Sequence, residues 1–423
     1  MRSMLVSTAL CISLFTSTVL SVTDISAADI NLSIDAGDYD RVNVPVRLLV
    51  ELPKNSLDAT VANIVLSNGT KTTGQFVTPG LKYADTKKSK GTRELVFVAP
   101  KLESGKPITA EVSISKSSKG KTQYAWDESS DKHYDLKFGD RSVLRYMCEK
   151  LDESTPARRG ETYKVYHHVY DFEGKNHLTK GPGGLFPHHR GLFFGFNRIS
   201  YTQDGEKRSA DIWHCNKGEF QSQEKVVQKD TGPVLGRHLL QIDWHGQDGK
   251  VFAEELREMT VYNVKEGHLI EFASKLTSKV DNLKLDGDPQ HAGFQFRATQ
   301  HVPDKTKKLT FYIRPDGTDK PGSFRNWPGQ KEHINLAWNA QCFTAFDQQY
   351  TCCYLDSPQN PKPARFSERD YGRFGSYFAT EVSKGESLNL NYRIAVLPGE
   401  QSVDRVDHLS IDFVNPPVAQ VAN

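Results

Sequence analysis

Residues 180–197 read Lys-Gly-Pro-Gly-Gly-Leu-Phe-Pro-His-His-Arg-Gly-Leu-Phe-Phe-Gly-Phe-Asn. The first half is turn chemistry, since Gly181, Pro182, Gly183 and Gly184 do not sit inside a regular element. The second half, 192–196, is an apolar, aromatic run of strand length. Between them His188, His189 and Arg190 fall at a loop-to-strand junction, where the loop gives access and the strand fixes position.

Outward from this stretch the same texture recurs. Strand-like runs lie at 134–138, 143–146, 239–244, 252–263, 268–276, 294–298, 309–313, 338–346, 350–355, 377–379 and 388–396. There is no alternation of strands with helices, and convincing amphipathic helices are almost absent. This predicts one large antiparallel β-sandwich over 131–415. Shorter runs at 46–52, 62–66, 74–77, 93–98 and 108–114 are separated by Pro53, Asn68-Gly69 and Glu103-Ser104-Gly105. They predict a small β-sandwich over 29–115 that holds no cluster of catalytic side chains and serves as a packing or adaptor module. The polar stretch 116–121 opens a linker expected over 116–130, so residues up to Ser115 should be removable without unfolding the rest. The expected fold class is all-β.

Among 423 residues the formal net charge is +2 and no long basic block appears, which leaves nucleic acid without support as a partner. Arg2, a mostly apolar stretch at 5–22 and small residues at Ser26, Ala27 and Ala28 read as a signal peptide over 1–28. The expectation is a periplasmic or secreted protein with no membrane span after cleavage. Cys148, Cys215, Cys342, Cys352 and Cys353 then remain, an odd number without zinc-site spacing, and buried free thiols are expected.

Four patches carry more chemistry than packing requires. The first is His188-His189-Arg190. The second is 211–216, Asp-Ile-Trp-His-Cys-Asn, where extended backbone would put Trp213 and His214 on opposite sides. In the third, 288–297, His291, Gln295 and Arg297 would share one strand face while Phe294 and Phe296 pack on the other. The fourth, 364–373, sets Arg365, Arg369 and Arg373 among aromatics, a composition suited to an anion, a sugar or a plain surface ion-pair network. Glu254, Glu255 and Glu258 add acid/base candidates on one strand. No nucleophile elbow, P-loop or H-E-x-x-H helix is present.

The runs G-P-G-G-L-F-P-H-H-R-G-L-F-F-G-F, A-D-I-W-H, D-P-Q-H-A-G-F-Q-F-R and N-P-K-P-A-R-F-S-E-R-D-Y-G-R-F-G-S-Y-F resemble the exported bacterial PmoA-like, or "methane oxygenase PmoA", family over about 134–396. The resemblance implies a large β-sandwich similar in outline to the supersandwich of sugar mutarotases and polysaccharide lyases.

The leading expectation is an exported carbohydrate-active enzyme, a hydrolase, lyase or epimerase for a sugar or glycan. His188, His189, His214 and His291 would supply acid/base groups, since an imidazole titrates near working pH. Arg190, Trp213, Gln295, Arg297, Arg365 and Arg369 would bind substrate. A second reading is a non-catalytic glycan-binding module. A third is a metal enzyme or oxygenase; no cofactor is expected, but a metal ion on His188, His189, His214 or His291 stays open.

Overall fold

The computed structural model describes residues 30–116, 118 and 120–422; the expected signal peptide and Cys11 lie outside the described residues. The chain is all-β, built from large antiparallel sheets.

Two of these sheets face each other. The nine-stranded one runs, in spatial order, Phe220–Asp230, Leu235–His245, Val251–Tyr262, His268–Ser278, Ser387–Pro398, Gln348–Asp356, Trp338–Ala345, Phe311–Arg314 and Gly317–Thr318. The eight-stranded one runs Arg365–Arg369, Arg373–Tyr377, Ala292–Arg297, Leu192–Phe196, Tyr166–Val169, Arg141–Met147, His133–Phe138 and Tyr124–Asp127. Aromatic rings fill the space between them. Phe294 stacks on Phe272 at 4.2 Å and on Tyr392 at 5.1 Å, and Phe194 meets Trp244 at 5.4 Å. Because side chains alternate along a strand, Gln295 and Arg297 leave Ala292–Arg297 on its other face, away from this core. They are buried too, covered by the loops that carry the site.

Two glycines let those loops come close. Gly191 has φ +43°, and a Cβ there would lie 2.1 Å from the His167 carbonyl oxygen; at Gly293, φ +82°, it would lie 2.0 Å from that of Ser376. Only glycine fits either place, and each sits at the foot of a histidine-bearing loop.

The N-terminal strands form one seven-stranded sheet, whose last strand, Val418–Val421, comes from the far end of the chain and pairs with Ile30–Asp35. That strand also touches Arg41–Glu51 at the opposite edge. The sheet therefore rolls around its own core of Leu32, Val46, Ile64, Phe97 and Val112. A third core joins it to the large unit: Val77 and Val96 pack with Leu235, Tyr262, Trp338, Leu397 and Val406. Residues 116–130, expected as a linker, include the strand Tyr124–Asp127, which pairs with His133–Phe138. The helix Val403–Val414, not anticipated from the sequence, is capped by the Ser402 hydroxyl, which accepts from the Arg405 amide. The five cysteines beyond Cys11 are free and buried.

Candidate functional site

Loop 180–190 is held by cations that bind its carbonyls. The Lys180 ammonium donates to the carbonyl oxygens of Gly181, 3.0 Å away, and Gly183. Lys164 donates to those of His188, at 2.7 Å, and Trp213, tying two patches together from beneath. Arg190 donates to Pro187 and Glu161, both at 3.1 Å, and to Gly160, while its guanidinium lies over the Tyr163 ring. Arg190 is thus a buried clamp for the loop, not a substrate-binding group. All three are buried in contact with neutral dipoles, and burial pushes Lys180 down to about 7 and Lys164 well below the usual lysine range.

So held, the loop brings His188 and His189 against the other histidine patches. Ring centroids lie 4.4 Å apart for His188 and His214, 5.4 Å for His188 and His291, and 4.5 Å for His214 and His291. His189 is 5.6 Å from His291 and stands behind His188. Residues 211–215 form a tight turn, not the expected extended segment. It buries Trp213 completely against Phe193, with its ring edge-on to His189 and His291, so this ring packs the floor of the cluster rather than stacking on a ligand, and His214 joins the cluster above it.

The two later histidines share one arrangement. His214 Nδ1 donates to Asp211 Oδ2 at 2.8 Å, and the other Asp211 oxygen accepts from the Trp213 and His214 amides. His291 Nδ1 donates to Asp288 Oδ1 at 2.9 Å, and Asp288 Oδ2 accepts from Asn197 Nδ2 at 2.6 Å. Burial alone would raise the Asp288 carboxyl, yet the hydrogen bonds from His291 and Gln290 hold it below the usual carboxylate range. A carboxylate only accepts, so Nδ1 carries a proton in each ring, and it is Nε2 that the neutral imidazole offers as a ligand atom. His188 offers a buried Nε2 with no partner, and its imidazole is pushed down to about 2 by burial and by the neighbouring Lys164 and histidines. One nitrogen from each of His188, His214 and His291 lies within 4.8 Å of the other two.

Next to the histidines lie arginines. Arg297 donates from Nη1 to the carbonyl oxygens of Ala298, at 3.0 Å, and Tyr371, and its guanidinium lies over the Tyr371 ring. Gln295 does not face a ligand: its Oε1 accepts from Arg373 Nη1 at 2.9 Å and so positions that arginine. Arg373 also reaches Ser367 Oγ at 2.8 Å. Arg369 is half-buried at the edge, donating to Asn326 Oδ1 and to the Glu368 carbonyl. Arg365 is stacked over Trp327 at 4.6 Å and makes no part of the cluster. The three expected glutamates lie elsewhere: Glu255 pairs with Arg257, Glu254 with Lys279, and Glu258 accepts from the Leu81 amide.

Two other places draw charge together. Glu224, Asp243 and His245 are close, but both His245 nitrogens are used, by Ser222 Oγ and the Gly249 carbonyl. A cavity of about 400 Å³ between the N-terminal and nine-stranded sheets is lined by Arg47, Glu271 and Arg393, whose charges satisfy one another at 2.8 and 2.5 Å.

The model of DUF6807, a family of unknown function, matches residues 133–410, which include all four patches. The chain belongs to the DUF6807 family. This corrects the resemblance to the PmoA-like family: the similar runs lie inside 133–410, but the family they mark is DUF6807. No curated protein matches the sequence. Among solved structures, an α-mannosidase from Enterococcus faecalis V583 is similar at 8% identity and TM-score 0.46, over 93% of this chain and 46% of its own. A galactose mutarotase related enzyme from Lactobacillus acidophilus is similar at 8% identity and TM-score 0.26, over 56% of this chain and 96% of its own. A GH36 α-galactosidase from Geobacillus stearothermophilus is similar at 10% identity and TM-score 0.33, over 66% and 41%. The DUF6807 chain thus spans about half the length of the mannosidase.

Several residues of this DUF6807 site escape a reading of the sequence alone. Asp211 and Asp288 lie inside quoted patches, and a signal for them exists: both stand three residues before a histidine, an Asp-x-x-His spacing used twice. Lys164, Lys180 and Phe186 carry no such signal, because a lysine that binds carbonyls looks like any other until the fold buries it.

Proposed function

We propose that the protein is an exported, metal-dependent enzyme acting on a sugar or glycan, with His188, His214 and His291 as ligands of the ion. The observation that carries this is the meeting of one nitrogen from each of three histidines, two of them oriented by a carboxylate. A carboxylate behind an imidazole fixes the tautomer and ring orientation and raises ligand basicity. His188 also favours a ligand over an acid/base role: pushed down to about 2, it stays neutral at working pH, as a metal requires and a proton shuttle does not. Three imidazoles suit zinc, copper, nickel or iron, and leave a position open for water or substrate. An ion there would supply Lewis acidity or an activated water.

Support for a sugar comes from the rim. Phe186 and Phe324 expose 40% and 42% of their surface; Phe186 packs on His189 and Tyr371, and Phe324 flanks Arg369. Apolar faces beside hydrogen-bonding groups match the C–H face and hydroxyls of a sugar ring. Export rests on the apolar stretch at 5–22, and no helix among the described residues is long and apolar enough to cross a membrane. The test is elemental analysis of protein purified without chelators, with His214→Ala and His291→Ala alongside. Stoichiometric metal that both variants lose is expected, and background metal in the unaltered protein sinks the assignment. The Asp–His pairs also fit a metal-free base and its orienting group; turnover that survives complete metal removal would favour that reading.

A further inference from the structure

Most buried arginines of this protein face a carboxylate. Arg237 meets Glu94 at 2.8 Å, Arg257 meets Glu255 at 2.8 Å, and Arg314 meets Glu368 at 2.5 Å. The arginines beside the histidines do not. Arg297 is 1% exposed and Arg373 0%, yet their hydrogen bonds run only to carbonyls, Gln295 and Ser367. Asp304, whose charge reaches Arg297, and Asp288, whose charge reaches Arg369, make no ion pair with them, and Asp288 is committed to His291.

The unfilled donors have a definite shape. Arg297 Nε and Nη2 are both buried without a partner, and these two nitrogens form one edge of the guanidinium. A carboxylate spans such an edge with two parallel hydrogen bonds. Arg373 Nε is buried and unpartnered as well, and so are both ring nitrogens of His189, which is 2% exposed. Burying cations without a counter-charge costs solvation that carbonyls, an amide and a hydroxyl return only in part. That cost shows in Arg297 and Arg369, each held down to about 10 by burial first and by the neighbouring Arg373. A divalent ion on the histidines would add to the positive charge.

We infer that the ligand of this site is an acidic sugar, whose carboxylate takes the unpartnered Nε–Nη2 edge of Arg297 beside Arg373 and Arg369. The inference rests on the reading of this cluster as the ligand site, but not on the metal. Tyr371 lies against Arg297, Phe186 packs on Tyr371 with rings 5.1 Å apart, and the sugar ring enters along Phe186, the exposed one of the pair.

The experiment is calorimetric titration of the full mature chain, in chelator-stripped and zinc-reloaded forms, with glucuronate, glucose, inorganic phosphate and sulfate. Glucuronate is expected to bind at least 100-fold more tightly than glucose, with phosphate and sulfate weaker than glucuronate. Arg369→Gln, at a half-buried position, should weaken glucuronate at least tenfold with the circular dichroism spectrum unchanged; Arg297→Gln should abolish binding if it folds, judged in the same way. Equal binding of glucose and glucuronate, or no binding of glucuronate, overturns the inference, and phosphate binding alone overturns it in favour of a phosphorylated ligand. Zinc content of the same samples keeps the two proposals apart. Protein that takes up zinc but not glucuronate removes this one, and glucuronate binding without zinc uptake removes the metal.

Discussion

Asp211 and Asp288 are where the metal reading is most exposed to test at the scale of single residues. Each accepts a hydrogen bond from a histidine Nδ1 and from backbone amides of its own turn. Asp211→Asn or Asp288→Asn keeps the shape but weakens the acceptor, and a metal's outer partner of this kind is worth about 10–100-fold in affinity. Chelator-competition titrations should show that loss for each variant; unchanged zinc affinity in both would make the pairs merely structural. That His188, His214 and His291 meet could be anticipated, because histidines set in polar–aromatic runs of one sandwich have strand ends and faces that antiparallel pairing brings together. Arg190 and Trp213 misled for a physical reason. A guanidinium that binds carbonyls and one that binds substrate are the same side chain, and only the fold decides which way it points. The lysines show the converse, since nothing in Lys164 or Lys180 marks them before burial turns them into loop clamps.

At the scale of elements, period-two alternation was the dependable signal. In Ala292–Arg297 it correctly assigned Phe294 and Phe296 to the core and Gln295 and Arg297 to the other face. It erred where backbone is not extended: the turn at 211–215 obeys capping by Asp211 rather than alternation. The helix Val403–Val414 was also missed, although Ser402 as a cap and apolar Val403, Val406, Leu409 and Phe413 at three- to four-residue spacing were there to see. The strand makes the sharper prediction. Phe294 touches Phe272, Tyr392 and Tyr354 across the sandwich, so Phe294→Ala leaves a cavity between both sheets. A loss of about 3–5 kcal/mol is expected in urea unfolding. Since the same strand carries Arg297 and follows His291, ligand affinity should fall with it; a change below about 1 kcal/mol would deny that the strand is packed as described.

For the whole molecule, the boundary near Ser115 separates sheets but not cores. Val77 and Val96 pack on Leu235 and Trp338, and Glu94, wholly buried, pairs with Arg237 of the nine-stranded sheet and Arg47 of its own. The sequence could not show this, because a strand apolar on both faces does not say what covers its second face. Removal of residues up to Ser115 would bare that apolar surface and leave Arg237 without Glu94, so the truncated chain should be insoluble rather than independently folded. Within the intact chain, Glu94→Gln should cost about 3 kcal/mol by removing the buried carboxylate that Arg237 and Arg47 share. The same junction sets the response to acid. Burial alone would raise Glu94 and Glu271, but Arg237 and Arg47 for the first, and Arg393 and Arg47 for the second, hold each at about 2 against an ordinary 4.5. Unfolded, both carboxyls take up protons near 4.5; folded, they resist until about 2. The unfolded state therefore binds more protons in that window, and the stability these pairs give is complete above about 4.5 and lost as pH falls towards 2. Buried His268, held at about 4 by burial and by Arg141, acts with the same sign between its ordinary 6.5 and 4. Burial also holds His167, His168, His177, His188, His189 and His238 below the ordinary 6.5, so denaturant midpoints should fall from pH 6.5 and go on falling below 4.5, and Glu94→Gln should flatten only the part below 4.5. A variant whose midpoint declines below pH 4.5 as steeply as the unaltered protein would show that the Arg–Glu junction does not govern acid stability.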